Sequence, residues 1–334
     1  MNQHKQNGMT LIELMVALAI GAFLMIGAIT VFMQSRTTFR VTESLSRIQE
    51  NARIAIEIME PDIRMAHYWG LTTTTASIAN RAGPAAGAFP GIVHTCGNNF
   101  LVNFDQAVSG SNNSFVMGAC VPAALVGPVE ANADTLVVRR VAEDAETLPL
   151  AGAGTPLRLL TVRGTDESRI FTGNALPAGF NAATNRIHRV IVNAYYVSRS
   201  SSATTAGINV VPSLRVRSLQ ANGTVPDQEL IAGVEDLQVQ FGIDTDPPDA
   251  DNRGSIDRYV NINDPLVEPF NPASNIEILS VRIWLRVRAE RPENGFRDNA
   301  IYQYADQNVG PFNDAFRRMV VSKTIYLRNA RPSS

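Results

Sequence analysis

The chain has 334 residues, of which 45% are hydrophobic and 18% charged, so it is long enough for one large globular domain or two ordinary ones. Its formal net charge of −2 excludes a strong overall electrostatic field, and we therefore expect no nucleic-acid partner. With only two cysteines, Cys96 and Cys120, the chain cannot be a cysteine-rich scaffold or hold a four-cysteine zinc site.

The chain begins with a short polar, weakly basic segment, residues 1–8, followed by a long apolar run. The twenty residues from Leu14 to Met33 carry no charge. At about 1.5 Å per residue they form roughly 30 Å of helix, the thickness of the hydrocarbon core of a bilayer. The sequence therefore predicts a transmembrane helix over residues 9–33. Lys5 on the leading side predicts a single pass with the N-terminus in the cytoplasm.

Two ordinary interpretations of this segment are an uncleaved anchor and a cleavable secretory signal. Ala17 and Ala19 form a small-residue cleavage pattern, but the apolar stretch before them is short and contains Glu13. A carboxylate at the edge of a membrane helix costs about 2–3 kcal/mol unless it is paired or functional. A plain anchor explains the length of the run but leaves Glu13 unexplained.

The segment Gly8–Leu14, Gly-Met-Thr-Leu-Ile-Glu-Leu, resembles the type IV prepilin signal. The resemblance implies that a prepilin peptidase cleaves after Gly8 and N-methylates the new first residue, Met9. Most members of the family have phenylalanine at that position, so Met9 is a departure. In a filament, the carboxylate of Glu13 would neutralise the α-ammonium of Met9 on an adjacent subunit and remove two charges from an apolar environment.

Residues 34–70 read as an amphipathic continuation of the helix on the periplasmic side. An apolar stripe recurs at intervals of three and four residues, which predicts one buried helical face: Val41, Leu45, Ile48, Ala52, Ala55, Met59, Ile63 and Ala66. We expect this face to pack on the following domain. Pro61 is expected to kink the last turns or to restart the helix.

Residues 71–133 show little periodicity and predict long loops with short strands. Both cysteines fall here and would lie in the oxidising periplasm, where a disulfide between Cys96 and Cys120 is the default. His94 offers a metal ligand in principle, but no second histidine or carboxylate lies near either cysteine.

From Thr135 onward, strand signals follow one another without intervening helices, which predicts antiparallel sheets with one face on a core and the other in water. The predicted strands are Thr135–Val141, Leu157–Val162, Arg189–Val197, Leu214–Leu219, Leu237–Ile243, Val281–Arg288 and Met319–Leu327. We therefore expect an α+β, pilin-like fold, in which a long N-terminal helix packs on a β-rich periplasmic domain, residues 71–334, of one or two lobes.

Three further segments, Ile58–Gly70, Gly233–Asp246 and Arg317–Asn329, are similar to the PilW family of minor pilins, which parallels the J pseudopilin of type II secretion. The resemblance implies a minor pilin that primes pilus polymerisation, lies at the pilus tip and supports adhesion and twitching motility. The implied partners are other minor pilins, the major pilin, the prepilin peptidase, the inner-membrane assembly platform and a large tip adhesin. The protein would lie in the bacterial inner membrane and later in the filament at the cell surface.

An acidic segment late in the chain suggests a calcium loop, because oxygen ligands alternate and a glycine permits a sharp turn. Its carboxylates are Asp244, Asp246, Asp249, Asp251 and Asp257. Arg253 and Val260 stand where a calcium loop of this type needs ligands, so a solvated acidic turn is the alternative interpretation. The sequence suggests no cofactor other than calcium.

The arginines that alternate along Val281–Arg288 suggest either an anion-binding patch or, more simply, the solvent face of a strand. The chain has no nucleophile elbow, phosphate loop, zinc-protease or dinucleotide motif, so we expect no enzyme. Two other functions stay open at this point: a pseudopilin of a type II secretion system, and a signal-anchored periplasmic enzyme or binding protein.

Overall fold

The computed structural model describes residues 9–72, 75–79, 101–115, 129–150, 156–163, 167–202, 210–247, 250–268, 271 and 275–330. The chain divides into two compact units, Met1–Arg47 and Ile48–Ser334. Helix α1, Leu11–Arg64, contributes residues to both.

The first unit consists of the N-terminal part of α1. Every described residue from Met9 to Met33 is exposed, although nearly all of them are apolar. Within the described residues, α1 is the one helix that is long and apolar enough to cross a membrane. The hydroxyl of Thr30, a polar group inside this run, donates to the carbonyl of Ile26 at 2.8 Å, so the helix itself satisfies it.

In the second unit, residues 48–64 of α1 supply one wall of the core. The predicted stripe is confirmed from Ile48 onward, because Ile48, Ala52, Ala55, Met59 and Ile63 are buried. It is wrong for Leu45, which is exposed, and Val41 is only partly buried. On the exposed side of this part of the helix, Arg53 pairs with Glu50 and Glu57 of the same helix.

The helix ends at Arg64, earlier than the expected boundary at residue 70. It continues through Pro61, which lies within the last turn, and the N–H of Met65 closes that turn on the Pro61 carbonyl at 3.2 Å. His67 then adopts a positive φ of 66°, a left-handed conformation that a right-handed helix cannot contain.

The described residues after the helix form one short 3₁₀ turn, Thr75–Ser77, and a series of strands. The strands are β1 (Ile78–Ala79), β2 (Val108–Ser111), β3 (Thr135–Val141), β4 (Leu157–Val162), β5 (Ser168–Thr172), β6 (Asn185–Ser198), β7 (Ser213–Ser218), β8 (Asp227–Ala232), β9 (Val234–Asp244), β10 (Arg258–Asn261), β11 (Glu277–Arg288), β12 (Tyr302–Tyr304), β13 (Gln307–Val309) and β14 (Arg318–Tyr326).

These strands form two main sheets. The larger sheet has the order β1-β5-β4-β6-β3-β2, and β7 and β8 extend it from β6. The smaller sheet has the order β10-β9-β11-β14, and β12 and β13 form a separate hairpin. Gly233 joins the two sheets at the β8–β9 junction, where a φ of 89° suits a glycine and its carbonyl accepts the N–H of Arg288 at 2.7 Å.

The predicted α+β class is confirmed, and two predicted strands, β3 and β4, have their observed bounds. Pairing is antiparallel as expected, except between β1 and β5, which run parallel. The prediction that each sheet has one solvent-exposed face is wrong for the central strands. Every residue of β4 is buried, and so are nine of the eleven residues of β9.

One core joins the helix to both sheets, with contributions from Met59 on α1, Leu136 on β3, Val192 on β6 and Ile283 on β11. A buried polar contact fixes the helix to the larger sheet. The carboxylate of Asp62 accepts hydrogen bonds from Arg140 (2.7 Å), Asn193 (2.9 Å) and Tyr195 (3.0 Å). The β-rich part of the chain and the C-terminal part of α1 are therefore one packed structure.

Candidate functional site

The start of α1 is held by a capping box, in which Thr10 is the N-cap and Glu13 the third helical residue. The backbone N–H of Glu13 donates to the Thr10 hydroxyl at 3.3 Å. In return, the backbone N–H and hydroxyl of Thr10 donate to Oε2 of Glu13 at 2.9 and 3.0 Å. In the single chain, the carboxylate of Glu13 therefore accepts the N–H of Thr10 at the start of its own helix. Glu13 stays exposed.

Several predicted site residues lie outside the described part of the chain. They are Gly8, Cys96, Cys120 and Asp249. Cleavage after Gly8, methylation of Met9, the assembly role of Glu13 and the disulfide all stay predictions.

The acidic segment between β9 and β10 is a tight turn with an internal hydrogen-bond network. Asp244 is buried, and its two carboxylate oxygens accept the backbone N–H groups of Asp246 and Gly254. Asp257 accepts the N–H and the hydroxyl of Thr245, each at 2.7 Å, and these donors lower the pKa of Asp257. The turn is thus ordered by its own donors.

Three of the five predicted calcium ligands come together. Asp244, Asp246 and Asp257 each place a carboxylate oxygen within 4.8 Å of the others, whereas Asp251 is exposed and lies outside this group. Partial desolvation, and then the neighbouring Asp257 and Asp244, raise the pKa of Asp246. Arg253 fills the turn by donating to the carbonyl of Asp246 (2.8 Å) and to the carboxylate of Glu277. Calcium binding in this turn stays a prediction, and the hydrogen bonds fit the solvated acidic turn.

The prediction that the arginines of β11 face solvent is wrong for its second half. Arg286 is buried, and Arg288 has a side chain only 12% exposed. The residues that cover them belong to the cover segment, residues 289–317, which contains the β12–β13 hairpin. Phe312 lies 5.0 Å from the guanidinium of Arg286, and Phe316 lies 4.1 Å from that of Arg288. At the other end of the strand, Arg282 and Trp284 stay partly exposed.

A buried ion-pair network holds the cover segment against the smaller sheet. Its centre is Arg318 on β14, whose side chain is 1% exposed. Arg318 pairs with Glu235 on β9 (2.7 Å) and with Asp298 (2.9 Å) and Asp314 (2.7 Å) of the cover segment. Arg286 adds a second ion pair to Glu235 at 3.0 Å. Arg318 therefore joins β9 and β14 to two points of the cover segment.

The composition of the cover segment could have predicted that it buries the arginines of β11 and β14, although the alternation within those strands could not. Residues 289–317 are rich in acids and aromatic rings, the groups that pair and stack with buried arginines. The acids and rings are Glu290, Glu293, Phe296, Asp298, Tyr302, Tyr304, Asp306, Phe312, Asp314 and Phe316.

The network predicts a pH dependence. Burial raises the pKa of Glu235, but Arg318, Arg286 and Arg288 together lower it more strongly, so its pKa lies below the ordinary value. A carboxylate with a lowered folded-state pKa stabilises the fold above its unfolded pKa, about 4.3, and loses this contribution as the pH falls. The stability cost of Glu235→Gln should therefore be largest at neutral pH and shrink below about pH 4.3.

Urea denaturation of both proteins at pH 7 and pH 3.5 measures this difference. Glu293→Gln is the control, because it removes one partly exposed ion pair, with Arg317, and should cost less than about 1 kcal/mol. A cost of Glu235→Gln that is the same at both pH values would contradict the prediction.

Comparison with known proteins identifies two segments. Residues 194–329 match the family described as Type IV Pilus-assembly protein W, and residues 3–29 match the prokaryotic N-terminal methylation motif. The search of curated proteins and the search of solved structures each return no match. The first segment holds β7 to β14, and with them the smaller sheet and the cover segment. The matched family is a pilus assembly component and not an enzyme family.

The resemblance to the prepilin signal and the PilW resemblance of Gly233–Asp246 and Arg317–Asn329 are thus confirmed, whereas Ile58–Gly70 lies outside the matched residues. The apolar helix near the N-terminus and the methylation motif support a membrane-anchored pilin. Together, the two matched segments support a type IV pilus-related minor pilin.

Proposed function

We propose that this protein is a minor pilin that primes the polymerisation of a type IV pilus and then lies at the pilus tip, where it supports adhesion and twitching motility. The observation that carries the proposal is that a methylation motif, residues 3–29, and a PilW segment, residues 194–329, occur in one chain. The methylation motif supports processing as a pilin and entry into a filament. The PilW segment supports a role in pilus assembly.

The physical properties of the described residues support this function. Exposed apolar side chains over more than twenty residues of α1 need a bilayer or other helices around them. A β-rich unit with two sheets and a cover segment is large for the subunit that repeats along the shaft of a pilus. It suits a subunit that is present in few copies at the start of the filament.

The proposed sequence of events begins in the inner membrane with the N-terminus in the cytoplasm. Prepilin peptidase cleaves after Gly8 and methylates Met9, and the mature protein joins other minor pilins on the inner-membrane assembly platform. The major pilin then adds behind this complex, which carries a large adhesin at its outer end. The protein itself performs no catalysis in this scheme.

Processing is the first testable step. Mass spectrometry of the protein from membrane fractions should show a chain that begins at Met9 with one methyl group on its α-nitrogen. Gly8→Val should yield the full-length chain, because the peptidase requires the small residue. An intact N-terminus in the wild-type protein would contradict the proposal and favour a signal-anchored periplasmic protein.

Assembly is tested by deleting the gene and restoring it, with pili counted by electron microscopy and twitching zones measured. We expect few or no pili in the deletion strain, and recovery of the other minor pilins with the tagged full-length protein from detergent-solubilised membranes. Normal piliation together with loss of exoprotein secretion would instead identify a type II pseudopilin.

A further inference from the structure

The first half of β11 presents side chains that are not buried on the face of the smaller sheet that points away from the core. Strand pairing places Arg282 on this face beside Gln240 of β9 and Thr324 of β14, and it places Trp284 beside Ser322. None of these five side chains is buried. The residues of β11 that alternate with them lie in the core. This half of the face is therefore accessible from outside the chain.

Contacts on more than one side hold the guanidinium of Arg282 in place. Its central carbon lies 3.4 Å from the centre of the Tyr259 ring on β10 and 5.7 Å from that of Trp284. Its Nε donates to the hydroxyl of Thr324 at 3.1 Å. Gly242 permits the stacking, because a Cβ at that position would lie only 2.9 Å from Cε1 of Tyr259. Arg282 is therefore pre-organised before any partner binds, which lowers the entropy cost of binding.

The charge of Arg282 lacks a counter-charge within the described part of the chain. Arg286 and Arg288 of the same strand form ion pairs with Glu235 at 3.0 and 3.8 Å. In contrast, no carboxylate oxygen of a described residue lies within 4.0 Å of the guanidinium nitrogens of Arg282. Its terminal nitrogens, Nη1 and Nη2, donate to no described residue. They form a fixed fork whose geometry matches the two oxygens of a carboxylate.

We infer that Arg282 is the centre of a docking surface for another protein, which it binds through an aspartate or glutamate of an acidic segment. Arginine, tryptophan and tyrosine are the residues that contribute most to protein interfaces, and here Trp284 and Tyr259 lie beside the arginine. Tyr326, which is 64% exposed, extends the same face at the end of β14.

The charge on this surface favours a protein partner over an anionic lipid or a nucleic acid. Both of these bind clusters of lysine and arginine, whereas the surface offers one unpaired cation between aromatic rings. Of the β11 arginines, Arg282 is thus the one to which the interpretation as an anion-binding patch applies. The inference does not depend on the proposed function, because its partner is defined by a carboxylate and not by a place in a pilus.

The test is photocrosslinking in the cells that produce the full-length protein, with p-benzoylphenylalanine in place of Ser322, an exposed residue opposite Trp284. The adduct should join Ser322 to a peptide of another protein that carries an acidic residue. Arg282→Glu should lower its yield about tenfold or more, because like charges then meet. Arg258→Glu is the matched control, since the exposed Arg258 alternates with Tyr259 and points to the other face, and it should leave the yield unchanged.

Two further variants separate binding from a structural role. Arg282→Lys keeps the charge but not the fork, so its yield should fall between those of wild type and Arg282→Glu. Replacing the acid of the crosslinked peptide by arginine should restore the yield of Arg282→Glu, which an unfolded variant could not show.

Four results would overturn the inference: an unchanged yield in Arg282→Glu, an equal loss in Arg258→Glu, no recovery on charge exchange, or no adduct other than with lipid or a second copy of this chain.

Discussion

Glu13→Ala should be cleaved after Gly8 like the wild-type protein but should enter filaments at a level about tenfold or more below it. The prediction rests on the proposed role of Glu13, in which its carboxylate neutralises the α-ammonium of Met9 on an adjacent subunit of the filament. Without Glu13 that ammonium stays unpaired in an apolar environment, at a cost of about 2–3 kcal/mol, and each 1.4 kcal/mol is about a tenfold change in an equilibrium. The measurement is the ratio of protein in sheared pili to protein in membranes.

The capping box in the structure gives this experiment sharp controls. Glu13→Gln keeps a side chain that can accept the N–H of Thr10, but it removes the charge. Thr10→Ala removes the N-cap and keeps the charge. Charge neutralisation requires Glu13→Gln to fail as Glu13→Ala does, and Thr10→Ala to assemble. If Glu13→Gln assembles and Thr10→Ala fails, the glutamate acts by capping its helix and the electrostatic account is wrong.

Arg318→Ala should lower the free energy of unfolding by about 3–5 kcal/mol, because it leaves buried acids without their shared counter-charge. The side chain is 1% exposed and pairs with Glu235, Asp298 and Asp314, so water cannot replace it without opening the cover segment. We also expect new proteolytic cleavage within residues 289–317. Urea denaturation and limited proteolysis of the purified protein measure the two effects.

The adjacent residue provides the control. Among the described residues, Arg317 forms an ion pair only with Glu293, and both side chains are partly exposed, so Arg317→Ala should cost no more than about 1 kcal/mol. Similar stability losses in the two variants would show that Arg318 is not the centre of a buried network. A stable Arg318→Ala protein with an intact cover segment would contradict the prediction outright.

The sequence was most informative where a local physical constraint has a fixed period or length. Twenty uncharged residues predict a membrane helix, and spacings of three and four predict the face on which Ile48 and Met59 are buried. Alternation predicts strands such as β3 and β4, because a β-strand turns successive side chains to opposite faces.

Alternation could not predict what covers the second face of a sheet. Gln238 and Arg286 read as solvent-facing from β9 and β11 alone, and both are buried. Phe312 and Tyr304 of the cover segment contact Arg286, whereas Gln238 donates to the carbonyl of Asn132. That covering depends on contacts far apart in sequence, such as Arg318 with Glu235 and Tyr304 with Asp236. The alternation of residues along a strand shows only that a side chain is polar, and not whether another segment buries it.

The same distinction applies to the candidate sites. The sequence by itself determined the processing signal, the anchor and the glutamate, since all three lie in one short continuous segment whose chemistry depends on nearest neighbours along the chain. Only the tertiary structure brought Tyr259 of β10 to Arg282 of β11, and only it divided the acidic run into a group of three carboxylates and an exposed Asp251. The physical reason is that a binding site is defined by distances in space, and beyond a few residues those distances are set by how sheets and loops pack.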